Sequence, residues 1–79
     1  MNSIEKYIWR NPEICGGKPV FRGTRIPVYL ILDMLREGAT IEEIIEAYPS
    51  LTPKHIKAAL EYAARVLEKR EFEPAFLRK

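Results

Sequence analysis

The chain has 79 residues, with 13 Lys and Arg against 11 Asp and Glu, a net charge of +2 and a hydrophobic fraction of 47%. That is an ordinary composition for one small globular domain and too little chain for two. One cysteine and one histidine exclude an internal disulfide and argue against a Cys/His zinc site.

No apolar run approaches the roughly 18 residues that a membrane helix needs. The N-terminal stretch carries Glu5 and Lys6 where a signal peptide would be apolar. The expected location is therefore the cytoplasm. A domain of this size buries only about 60% of the surface of its unfolded chain, so it gains from outside support. With disulfide and metal set aside, a homodimer is expected.

Residues 1–26 are broken by Asn11, Pro12, Gly16, Gly17, Pro19 and Gly23 and do not read as one long helix. The apolar pieces between the breaks, Tyr7-Ile8-Trp9, Ile14-Cys15 and Val20-Phe21, read as short extended segments that form a small β-ribbon. A ribbon this small must pack on something else to be stable. Cys15 reads as a small apolar filler beside it.

A first helix is expected from Pro27, with Val28, Ile31, Leu32 and Leu35 as its apolar stripe and Gly38 as its left-handed stop. A second opens with a capping box, Thr40 with Glu43, and has Ile41, Ile44 and Ile45 as its apolar face. Pro49 prevents its continuing past Tyr48. A third opens at the Thr52 cap with Pro53 in its first position. Ile56, Ala59, Leu60, Ala63 and Leu67 form its expected buried stripe. It reaches about Lys69 or Arg70, and Pro74 ends any helical reading. The predicted fold is mainly α: a three-helix, helix-turn-helix-like domain over residues 1–70 with a short N-terminal β-ribbon, followed by a tail over 71–79.

The charges are uneven along this order. Lys6, Arg10, Lys18, Arg22 and Arg25 lie in the first third and Lys54, Lys57, Arg65 and Lys69 in the last. The middle carries Asp33, Glu37, Glu42, Glu43 and Glu46. Two basic segments flanking an acidic one suit a polyanion binder, and equally a mixed surface kept for solubility.

A short helix, a tight turn at Pro49-Ser50-Leu51 and a second helix make the helix-turn-helix order. Ala47 is expected to pack at the crossing and Leu51 to plug the corner. In such a motif the start of the second helix meets the DNA major groove. The early residues here are Lys54, His55 and Lys57. No Asn, Gln or Arg stands there for bidentate base contacts, so phosphate positioning is expected rather than sharp base reading. An ordinary three-helix bundle with a solvated helix start has the same pattern. Arg22, Thr24 and Arg25 around Gly23 are further candidates for phosphate or carboxylate. The alternative is a tight turn whose arginines lie in water or pair with the glutamates of the second helix. Gly16-Gly17 lacks the spacing of a phosphate-binding P-loop.

The run Ile14-Cys-Gly-Gly-Lys-Pro-Val-Phe-Arg-Gly-Thr-Arg-Ile-Pro-Val28, with Gly38-Ala-Thr-Ile-Glu-Glu-Ile44, Tyr48-Pro49, Leu51-Thr52 and Ala58-Ala-Leu-Glu-Tyr-Ala63, closely resembles the family catalogued as domain of unknown function 433. The resemblance spans about residues 4–67. It implies a helix-turn-helix-like fold with an N-terminal β element. It also implies an antitoxin role like that of VapB-type proteins, which pair with PIN-like ribonuclease toxins. It carries over no catalytic residue and no cofactor.

The expected function is therefore a type II antitoxin that binds operator DNA, double-stranded, as a dimer and neutralises such a toxin. The tail residues Phe72, Phe76, Leu77 and Arg78 are the expected toxin contact, since aromatic anchors in a short segment suit docking into a groove. Packing of the tail on its own domain is the competing reading. The alternative function is a protein-interaction module that binds no DNA. Catalysis is not expected, because one His, one Cys and scattered acids form no recognisable nucleophile–base pair.

Overall fold

A computed structural model describes residues 3–69, and the predicted tail contacts Phe72, Phe76, Leu77 and Arg78 lie outside the described residues. The order is α1 (Ser3–Tyr7), β1 (Ile8–Trp9), a single 3-10 turn (Cys15–Gly17), β2 (Val20–Phe21), α2 (Val28–Arg36), α3 (Ile41–Ala47) and α4 (Pro53–Lys69). The mainly α fold with a small N-terminal ribbon is as expected. The fourth helix, α1, is not: Ile4 and Tyr7 sit one turn apart and pack against the core, which helical spacing allows and strand spacing does not.

β1 and β2 pair antiparallel, Ile8 with Phe21 and Trp9 with Val20. A further bridge joins Val20 to Pro27. The Val28 N–H donates to the Pro19 carbonyl at 2.9 Å, so one of the unpaired donors at the start of α2 is satisfied by the ribbon. Ile14 is extended, but Cys15 is not in a strand as predicted. It opens the 3-10 turn with φ of +51°, followed by Gly16 and Gly17 at +64° and +84°. Cys15 is also exposed rather than a filler. A left-handed residue cannot continue a ladder, and three in succession turn the chain outward, carrying the thiol with them.

The core is apolar throughout. Phe21, Val28, Ile31, Ile44, Leu51 and Ile56 are its large members, joined by Ile8, Ala58 and Ala59. Each contributes about 1.5–3 kcal/mol when fully buried if large. Leu51 fills the corner between α3 and α4 as predicted. Ala47 does not pack at the crossing but is exposed.

The buried face of α4 differs from the predicted stripe. Ile56 and Ala59 are buried, but so is Ala58, whereas Leu60 and Leu67 are exposed. The unforeseen α1 explains this. It packs against α4 and draws Tyr62 and Ala58 to the core side, rotating the leucines outward. Among the described residues, no helix is long and apolar enough to cross a membrane.

Candidate nucleic-acid interface

The two helices that make the candidate interface are closed at their ends by their own side chains. At α3, the Glu43 N–H donates to Thr40 Oγ1 at 3.1 Å and the Thr40 N–H donates to Glu43 Oε1 at 2.8 Å. This is the capping box the sequence predicts. The chain leaves α3 through Tyr48, whose carbonyl accepts from the Leu51 N–H at 2.9 Å. Burial of Leu51 then sets the path into α4.

The start of α4 uses a histidine in the same way that α3 uses a glutamate. His55, three residues after Thr52, turns its ring back so that Nδ1 accepts the Thr52 N–H at 3.0 Å. The Thr52 hydroxyl lies 2.9 Å from the same nitrogen. An accepting Nδ1 carries no proton, so the neutral ring protonated at Nε2 is the form this contact selects. The ring meets Tyr7 edge-on at 4.7 Å and Phe21 at 5.7 Å. Burial lowers its pKa from the ordinary 6.5, because desolvation disfavours the charged ring.

This packing gathers cations that are far apart in the chain. Tyr7 and Phe21 bring the end of α1 and the end of β2 to the first turn of α4. Arg22 follows Phe21 directly. Its Nε and Nη2 donate to the Glu5 carbonyl at 3.2 and 3.0 Å, and its guanidinium lies 4.8 Å from the centre of the Trp9 ring. A guanidinium stacked and bonded in this way is held in one orientation. Lys6 lies 5.5 Å over the Tyr7 ring. Lys54 and Lys57 are exposed on α4 itself. Lys6, Arg22 and Lys54 are thus the chain neighbours of Tyr7, Phe21 and His55, the three rings that meet there.

The other predicted residues are placed differently. The Thr24 hydroxyl donates to the Phe21 carbonyl at 2.8 Å and accepts from the Ile26 N–H at 3.0 Å. It shapes the turn in which Gly23 takes φ of +81°. Arg25 is exposed beyond that turn, and its carbonyl receives the Cys15 thiol at 3.5 Å. Lys6 was not among the sequence candidates. The signal for it was the Ile4–Tyr7 spacing, which marks a helical turn inside a stretch otherwise full of breakers. Among the described residues, no group of three His, Cys, Asp or Glu could hold a metal ion.

Residues 8–63 match the model of the family described as protein of unknown function (DUF433). This chain belongs to that family. It is also similar to the uncharacterized protein y4eO of Sinorhizobium fredii, 45% identical over 61 residues, covering 77% of this chain and 28% of that one. Among solved structures it resembles the crystal structure of a DUF433 member from Anabaena variabilis. The TM-score is 0.75 at 33% identity, with 84% of this chain and 65% of the other covered. The chain thus spans 28% of the length of y4eO and 65% of the Anabaena chain.

Proposed function

We propose that this DUF433 chain binds double-stranded DNA through the amino end of α4, and that it does so as the antitoxin partner of a PIN-like ribonuclease toxin. The observation that carries the DNA part is the cation cluster. Exposed Lys6, Arg22 and Lys54 come from three separate stretches that the packing of Tyr7 and Phe21 on His55 brings together at the start of α4, and mobile surface cations of this kind suit phosphate. A surface of this kind holds DNA by displacing counterions and reads sequence only weakly.

His55 is committed to the Thr52 cap and acts by fixing that helix end rather than by touching a base. The antitoxin part rests on the family resemblance, with Phe72, Phe76, Leu77 and Arg78 as the toxin contact. The cytoplasm is the compartment this reading requires.

The test is a titration with the duplex upstream of the chain's own gene at several salt concentrations. Affinity is expected to fall by orders of magnitude between about 50 and about 200 mM salt. Lys54→Ala should flatten the logarithmic salt slope by about one unit in each bound copy. Binding with an unchanged slope in this variant would remove α4 as the reader. No binding at low salt, alongside capture of the neighbouring gene product, would leave an interaction module in its place.

A further inference from the structure

α4 also carries an apolar face largely open to solvent, with Lys18 at its edge, its Nζ 5.3 Å over the Tyr29 ring. Leu60 is 51% exposed, Leu67 is 66% exposed, and Tyr29 of α2 is 53% exposed. A groove between α2 and α4 runs along this face, lined by Val28, Tyr29, Leu32, Ala63, Val66 and Leu67.

The order of side chains along the face is Leu60, Ala63, Ala64, Leu67. It reads the same in both directions about a point midway between the two alanines. Helical spacing puts these four on one side of α4. An isologous contact requires such a self-complementary surface. The flanking charges add direction. Lys57 lies about one turn outside Leu60, Glu68 lies beside Leu67, and both are exposed. An antiparallel match places Lys57 of each copy near Glu68 of the other, whereas a parallel match sets like charge on like.

We propose that two copies of this chain associate through α4, antiparallel, with the two-fold axis between Ala63 and Ala64. Leu60 of each copy packs on Leu67 of the other and at the mouth of the α2–α4 groove, while the alanines let the helices approach closely. The spacing below rests on the DNA reading. At about 1.5 Å per residue, the two α4 amino ends lie about 30 Å apart, near the roughly 34 Å between half-sites one helical turn apart.

The experiment is light scattering and analytical ultracentrifugation of the full chain without DNA, with two variants. The expected mass is twice 9.2 kDa. Leu60→Glu should weaken association by about tenfold or more, since it places an unpaired charge in a small apolar contact, while far-UV circular dichroism stays unchanged. Ala64→Cys, made with Cys15→Ser, should form a disulfide-linked pair on mild oxidation, because position 64 lies beside the axis. A monomeric wild-type chain would overturn the proposal. So would a pair that Leu60→Glu leaves intact and Ala64→Cys fails to cross-link. A monomer that pairs only after deletion of residues 70–79 would overturn it too, by naming the tail as the occupant. Loss of DNA binding with the pair intact would sink the DNA reading and leave the dimer standing.

Discussion

His55 is the residue on which the site turns. From sequence it is a lone histidine in the first turn of a helix, offered to solvent or to DNA. In the fold its Nδ1 closes the start of α4 and its ring seals the junction of α1, β2 and α4. The neutral ring alone can accept the Thr52 N–H, and burial opposes the charged form. The folded chain therefore binds its proton less readily than the unfolded chain does. Stability from this group is complete above the ordinary value near 6.5, and it is lost as the pH falls from there through the lowered folded value. Thermal melts at pH 7 and pH 5 are expected to show a drop in Tm that His55→Gln largely removes. An equal drop in the variant would place the pH dependence elsewhere. The exposed surroundings of Lys54, by contrast, are legible from residue type alone.

At the scale of elements, α3 and α4 were readable because each carries its own start signal. Thr40 with Glu43 and Thr52 with Pro53 define helix starts locally, without reference to the rest of the fold. α2 ends where Gly38 takes φ of +96°, again a local matter. The ribbon was readable in part, from two of its three apolar pieces. What escaped was the facing of α4. Its apolar residues cover more than one side, and the choice of which side turns inward belongs to α1, an element of five residues hidden among breakers. Local signals also predict energies. Thr40→Ala removes one half of the capping box and should cost about 1 kcal/mol, which in a domain of this size lowers Tm by about 4–8 °C. Differential scanning calorimetry reads that directly, and an unchanged Tm would mean that the α3 start is held by tertiary packing instead.

For the whole molecule, the candidate site is a product of the fold rather than of any segment. Lys54 and Lys57 were singled out by position in a helix-turn-helix order, and Arg22 by its neighbours around Gly23. No local pattern relates them to one another or to Lys6. What relates Lys6, Arg22 and Lys54 is that their chain neighbours Tyr7, Phe21 and His55 pack on one another. The fold also explains why so small a domain keeps leucines in solvent: the same α4 that offers cations at its amino end offers an apolar, self-matching face toward its carboxyl end. In the proposed reading, DNA contact and self-association are two uses of one helix.

In the proposed function the amino end of α4, with Arg22 and Lys6 on the adjoining stretches, faces a polyanion. Amide chemical-shift mapping of the isotopically labelled chain during titration with duplex DNA at low salt tests it most directly. Shifts are expected to concentrate at Lys6, Arg22 to Arg25 and Thr52 to Lys57 and to fade as salt is raised. Shifts confined to α3 and the α2–α4 groove, or none at those residues while DNA is bound, would contradict it.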